Sequence, residues 1–439
     1  MPFQLDPTFA QDPAKHFDTL QIHAGLEPDP TTGAAALPIY ASAAFQFDSA
    51  PDAAAKFALS KPGNVYGRLT NTTTDAVAAR VAAIEGATGA VAVASGHAAE
   101  ILALTNIVGA GDHIVASDSL YGGTWNIFLH TLGDLGVETT FVENNDIDAF
   151  VAATKENTKL WYVETIGNPL VDVADVPAIV EAANSLKEPV PVFVDNTFAT
   201  PYLYRPADDG AAVVIESLTK WIGGHGATLG GAVIDTGKFD WKKTPGKFPT
   251  LTEPDPSYHG LVFADAAPAA PFSTRVLANK LRDFGPTLSP YAAQLIGIGI
   301  ETLSLRAQRH SDNALAVAKY LESHPKVSWV RYSGLESDPS HEVASRILHN
   351  GFGGVVVFGV KGGRDAGLKV VDNVKLFTHL ANVGDAKSLI IHPASTTHSQ
   401  LTPEQLKAAH LTEDLIRLSV GIENVDDIIA DLDQALENA

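Results

Sequence analysis

Within this chain of 439 residues, one lysine stands where covalent chemistry is possible. Lys220 follows the apolar run GAAVVIES, with Ser217 and Thr219 three and one residues ahead of it and the glycine-rich stretch GGHG after it. A lysine amine attacks a carbonyl only when neutral, so it needs desolvation or a positive neighbour. The two hydroxyls are spaced to donate to an anion such as a phosphate. Asp195 ends a second apolar run, VPVFVDN, and a carboxylate buried there needs a partner such as a cationic ring nitrogen. Taken alone, the two segments also admit plain accounts, a surface lysine at a strand end and a capping aspartate.

Two further turns fit the same picture. In Ala94-Ser95-Gly96-His97 a predicted strand passes into a predicted helix, where Gly96 lets backbone amides approach an anion at the positive helix end. Tyr121 precedes Gly122-Gly123-Thr124, an arrangement that can lay a ring against a flat molecule. A phosphate cradle, a stacking ring, a partner for a pyridine nitrogen and a lysine for an imine are together what a pyridoxal 5'-phosphate (PLP) site requires. All of them are present, which argues against a cofactor-binding protein with a decayed site. GGHGATLGG does not fit the dinucleotide fingerprint, and no GxxxxGK phosphate loop occurs, so a dehydrogenase or P-loop enzyme is disfavoured. His225 has no second ligand at metal spacing, and no metal site is expected.

The elements that must position these groups are legible in outline. Residues 1–63 are rich in Pro, Ala and Asp and form a predicted amino-terminal arm, in which LPIYASAAFQF carries apolar groups that need burial. Residues 64–300 alternate short apolar strands with amphipathic helices, one of them around Thr124–Leu135. Many of the strands are apolar on both faces, which predicts βαβ units and a mostly parallel sheet that binds ligands at its carboxyl ends. A long insertion near 236–285 reads as loop-rich and is expected to narrow the mouth of the site. Residues 301–439 predict a smaller α+β carboxyl-terminal domain. The net charge of -21, from 30 basic and 51 acidic side chains, argues against nucleic acid or an anionic membrane as partner. No apolar run is long enough to span a bilayer and no signal peptide is recognised, so the cytoplasm is the expected location. The chain has no Cys and a single Met.

Dispersed segments carry a resemblance to a known family. FDTLQIHAG, ASGHAAE, DSLYGGT, ETIGNP, VDNTFATP, SLTKWIGGHG, ETLSLRAQRH, LANVGDAKSLIIHPASTTH and LIRLSVGIE, with Tyr66 and Arg68, resemble the cystathionine γ-synthase family of Cys/Met metabolism. The fold this implies is α/β, the fold type I PLP-dependent transferase. The resemblance is strongest to the O-acetylhomoserine sulfhydrylase branch. It implies that Lys220 carries PLP and moves protons, with Tyr121 stacking on the ring and assisting. It further implies that Gly96 and His97 offer backbone amides to the phosphate, that Ser217 and Thr219 add hydroxyls, and that Asp195 holds the ring nitrogen. Asn168, Ser388 and Arg417 would orient cofactor and substrate carboxylate. Tyr66 and Arg68 would reach the phosphate from a neighbouring subunit, in a homotetramer built from dimers that share sites. Two positions depart from the family pattern. Asn71-Thr72-Thr73 stands where Asn-Pro-Thr is common, and His97 where Met or Gln is common.

The activity implied is γ-replacement on O-acetyl-L-homoserine by sulfide or methanethiol, giving homocysteine or methionine and acetate. Alternatives within the family are an O-succinylhomoserine sulfhydrylase, a cystathionine γ-synthase and a methionine γ-lyase. Lyase relatives typically carry Cys where this chain has Gly123.

Overall fold

A computed structural model describes residues 15–26, 28, 29, 31–396 and 411–439. The first 14 residues of the expected arm, and the stretch 397–410 of the carboxyl-terminal region, lie outside the described residues. Among the described residues, no helix is long and apolar enough to cross a membrane.

Seven strands make the main sheet: β1 (Gly89–Val93), β2 (His113–Ser117), β3 (Glu138–Val142), β4 (Thr158–Glu164), β5 (Val192–Asp195), β6 (Val213–Glu216) and β7 (Gly231–Asp235). Their order is β1-β7-β6-β5-β4-β2-β3. β6, β5, β4, β2 and β3 pair in parallel, whereas β7 is antiparallel to both its neighbours. Only β7 is reversed, so the carboxyl ends of the other six strands emerge along one edge. Alternation of side chains sorts each strand onto two faces. In β4, Trp161 and Val163 join one buried cluster with Val192, Val194 and Val214, while Leu160 and Tyr162 join another with Phe193, Val213 and Ile215. Each such buried side chain contributes roughly 1.5–3 kcal/mol, and with both faces covered the strands read as unbroken apolar runs.

The 236–285 stretch is not an open loop. It contains a continuous helical run from Pro271 to Phe284 and packs on the sheet through its aromatic residues. Trp241 stacks on Phe272 with ring centres 5.2 Å apart, and Phe272 meets Phe193 of β5 edge-on at 5.4 Å. Burying these rings drives the segment onto the sheet, where Pro content alone suggested a loop.

The arm is anchored at its root. Helix α1 (Phe17–His23) lies against α2 (Thr72–Ile84), and Arg80 of α2 donates to the Ala24 carbonyl at 3.0 Å. Asn71 caps α2 by accepting from the Thr73 amide at 2.9 Å and donates to the Tyr40 carbonyl at 2.7 Å. Thr72 therefore sits at the first helical position, where the amide has no intrahelical partner and Pro is equally at home. The expected burial of LPIYASAAFQF is only partial within the chain: Leu37 packs against the main core and Phe45 and Phe47 are half-buried, but Ile39 is 43% exposed and residues 41–44 are exposed. Among the described residues nothing covers the rest of it.

A second sheet, in the order β10-β11-β12-β9-β8, is built from β8 (Val327–Arg331), β9 (Val355–Val360), β10 (Thr378–His379), β11 (Leu389–Ile391) and β12 (Leu415–Ser419). Ile416 and Leu418 of β12 face a cluster formed with α5 (Leu303–Ser323), α6 (Gly363–Asn373) and α7 (Val425–Glu437), whereas Leu415 joins the core of the main sheet. By the same alternation Arg417 points toward the main sheet.

Candidate active site

The carboxyl edge of the main sheet and β12 enclose a cavity of about 330 Å³. Lys220, Tyr121, Gly96, His97, Asn168, Asp195, Ser217, Thr219 and Arg417 all line it, brought together from positions more than 300 residues apart. Each arrives by a local route. Ser217 and Lys220 follow β6, Asp195 ends β5, and Tyr121 and Asn168 lie on the loops after β2 and β4. Gly96 begins α3 (Gly96–Ile107), where Ser95 caps the helix by accepting from the Ala98 amide at 3.1 Å. A side chain at Gly96 would strike Ser217, with its Cβ 2.8 Å from the Ser217 Cβ. A side chain at Gly231 would meet the Ser95 carbonyl at 2.1 Å and the Gly96 nitrogen at 2.8 Å. The two glycines allow the helix end, β7 and the Lys220 turn to close around one small volume.

The charges in this volume are unmatched. Lys220 donates to Asn382 Oδ1 at 2.7 Å, and burial, then the positive charge of Arg417, lowers its pKa to about 8. Arg417 donates to Asn168 Oδ1 at 3.0 Å, and burial lowers its pKa to about 10. Asp195 accepts from the Thr197 amide at 2.9 Å, and burial raises its pKa. Among the described residues no basic nitrogen lies within 4 Å of the Asp195 carboxylate, and no carboxylate oxygen lies that close to Arg417. A buried charge left in this way calls for a partner from outside the chain.

Other placements differ in detail. Tyr121 is held by its amide, which donates to Glu164 Oε1 at 2.7 Å, and its ring stacks on His97 with centres 5.5 Å apart. Thr219 lines the cavity, but its hydroxyl donates to the Gly230 carbonyl at 3.1 Å and accepts from the Gly230 amide at 3.0 Å. Ser388 does not line the cavity. Its hydroxyl donates to Glu423 Oε2 at 3.0 Å and accepts from the Gly421 amide at 2.9 Å, just ahead of β11, which pairs with β12. Tyr66 and Arg68 also lie outside the lining. Tyr66 is exposed, and the Arg68 guanidinium sits 5.6 Å from the centre of its ring. No residue of 236–285 lines the cavity, so the insertion does not narrow its mouth within the chain. His225 closes its own turn, with Nδ1 2.7 Å from the Gly223 carbonyl.

Four contributors were missed in the sequence. Asn382 meets Lys220 across 162 positions. Glu164 and Glu100 line the cavity from segments that were noted without being assigned a role. Behind the Lys220 turn, buried Arg306 of α5 donates to the carbonyls of Trp221, Ile222 and Gly299 at 2.6, 3.2 and 2.6 Å. Only the fold reveals these contacts.

A profile of the Cys/Met metabolism PLP-dependent enzymes matches residues 18–437. The chain belongs to that family. It is 50% identical over 427 residues to a homocysteine synthase of Schizosaccharomyces pombe, covering 97% of this chain and 99% of that protein. It is 47% identical to O-acetyl-L-homoserine sulfhydrylase 1 of Thermus thermophilus, covering 96% and 99%. A Campylobacter jejuni structure described as an O-acetylhomoserine (thiol)-lyase superposes with a TM-score of 0.92 at 40% identity. It covers 96% of this chain and all of that one, and in it pyridoxyl phosphate is joined to a lysine. The cavity of this PLP-dependent chain fits the cofactor. The amide end of α3 with Ser217 would hold the phosphate, Tyr121 would face the ring, Asp195 would meet the ring nitrogen and Lys220 would reach the aldehyde.

Proposed function

We propose that this PLP enzyme exchanges the acetate of O-acetyl-L-homoserine for sulfide, forming homocysteine, with methanethiol as a second sulfur donor that gives methionine. The observation that carries the reading is the pair of unmatched charges beside Lys220. Asp195 awaits a cationic ring and Arg417 awaits a carboxylate, which together specify an amino acid bound to PLP. Bound PLP supplies an electron sink that makes carbon–hydrogen bonds of the substrate acidic. Arg417, oriented by Asn168, binds the α-carboxylate with the remaining edge of its guanidinium fork. Lys220, its pKa lowered to about 8, takes and returns protons at neighbouring substrate carbons on one face. Tyr121 covers the ring and excludes water.

Replacement rather than elimination is supported by the sulfhydrylase names of full-length relatives and by the packing at Gly123. A Cβ there would lie 2.5 Å from both His97 Nε2 and Tyr121 Cε1, so the cysteine of lyase relatives has no room without displacing a ring. Supplying O-acetylhomoserine or O-succinylhomoserine with sulfide, methanethiol or cysteine tests the reading. O-Acetylhomoserine with sulfide is expected to give mainly homocysteine. Mainly 2-oxobutanoate would assign the lyase reaction, and cystathionine formed from cysteine as efficiently would assign the synthase.

The same reading includes a homotetramer of dimers that share active sites. The exposed arm, the exposed stripe of Tyr291, Leu295 and Ile298 on α4 (Pro290–Ile300), and the position of Tyr66 and Arg68 outside their own cavity support it. A cytoplasmic place in the cell belongs to this reading through the likeness to these relatives.

A further inference from the structure

Asp195 shares the floor of the cavity with two other carboxyl groups, Glu100 of α3 and Glu164 of β4. Glu164 stands directly opposite Asp195 in the β4–β5 register and is bonded to the Tyr121 amide. Glu100 is different. It is 2% exposed, its Oε1 has no hydrogen-bond partner, and its Oε2 has only the Thr124 hydroxyl, at 3.5 Å. The hydroxyl of Tyr162, fully buried on β4 and likewise unpartnered, faces it. Among the described residues no basic nitrogen lies within 4 Å of Glu100. The groups that face it are therefore Thr124, Tyr162 and the carboxyl groups of Asp195 and Glu164, none of them a cation.

A PLP ring brings one positive nitrogen to this floor, and one positive charge supports one buried anion. Asp195 has a backbone amide donor and Glu100 has none, so between these two the anion belongs to Asp195, and burial with the charge of Asp195 also pushes Glu164 toward its protonated form. We propose that Glu100 is a positioning residue held as a neutral acid, which confines the negative charge of the cavity floor to Asp195. The proposal rests on PLP binding as described above. Burial and the charge of Asp195 act in the same direction on Glu100, favouring its protonated form. As a neutral acid it has a proton to donate and the Tyr162 oxygen within its surroundings to accept it. As an anion it would compete with Asp195 for the ring nitrogen and repel it.

Two measurements on Glu100→Gln, which keeps shape and removes only the ability to ionise, test this. Infrared difference spectra of the cofactor-free protein at pH 8 should show a protonated carboxylic-acid carbonyl band in the parent that the variant lacks. Identical spectra would overturn the proposal. In the cofactor-loaded protein, the pH midpoint of the visible absorbance should move by no more than a few tenths of a unit. A fall of about one unit or more, the signature of removing a buried anion, would overturn it as well. If Glu100→Gln does not fold, Glu100→Leu serves for the same comparisons. A parent that takes up no PLP would defeat the cofactor assignment instead, and the infrared comparison would still decide the state of Glu100.

Discussion

The lowered pKa of Lys220 predicts how fast the chain captures PLP. Only the neutral amine is nucleophilic. At a pKa of about 8, half of the Lys220 side chains are neutral at pH 8, whereas an ordinary lysine is roughly 0.3% neutral there, a difference of about 150-fold. Burial is the larger cause and Arg417 the smaller. Arg417→Met should therefore raise the pKa only part of the way toward 10.5. The assay mixes cofactor-free protein with PLP in a stopped-flow instrument and follows the visible band across pH. The rate should climb with pH and level off above about 8 in the parent, with the levelling displaced upward in Arg417→Met. A parent rate that keeps climbing through pH 10 would refute a desolvated amine, and an unchanged profile in Arg417→Met would refute the role of Arg417. The linkage has a definite sign. The folded-state pKa lies below the unfolded one, so between pH 8 and 10.5 the unfolded chain holds more protons. This lysine's contribution thus makes the cofactor-free protein more stable as pH rises through that window.

Two further outcomes follow from the geometry. Gly231→Ala places a methyl group 2.1 Å from the Ser95 carbonyl, which neither backbone can avoid without moving. We expect a loss of about 1–3 kcal/mol in thermal or urea unfolding, together with weaker PLP retention because the end of α3 must shift. Parent-like unfolding and retention would show that the close approach is not needed. Mixing inactive Arg68→Ala with inactive Lys220→Ala and allowing subunits to exchange should restore part of the activity, since some sites then combine an intact Arg68 with an intact Lys220. Exchange without recovery would place Arg68 in its own subunit's business and remove it from a shared site.

How much of this was written in the chain differs from group to group. Gly96, Asp195 and Lys220 were legible because each follows a strand apolar on both faces, and a parallel sheet delivers such strand ends to one edge whatever the details of packing. Tyr121 was read from its place before paired glycines and gained weight from the dispersed family segments, whereas Arg417 entered through those segments alone, since a strand arginine has a plainer explanation on its own. The 236–285 segment is loop-rich through residue 270, as Pro and Gly suggest, but the helical run Pro271–Phe284 and the burial of Trp241, Phe248 and Phe272 are tertiary gains that local composition does not express. Thr219 was read from its spacing before Lys220 and Ser388 from the family resemblance, and neither source shows that the fold sets Gly230 and Glu423 beside their hydroxyls. Sequence by itself therefore determined the sheet, the order of its chemistry-bearing ends and the choice of Lys220 as the lysine to test, because strand periodicity and local spacing are properties of neighbouring residues. Only the tertiary structure decided the Asn382 contact, the Arg306 brace, the unmatched charges of Asp195 and Arg417 and the isolation of Glu100. Each of these depends on which distant segment arrives and on how much water it displaces.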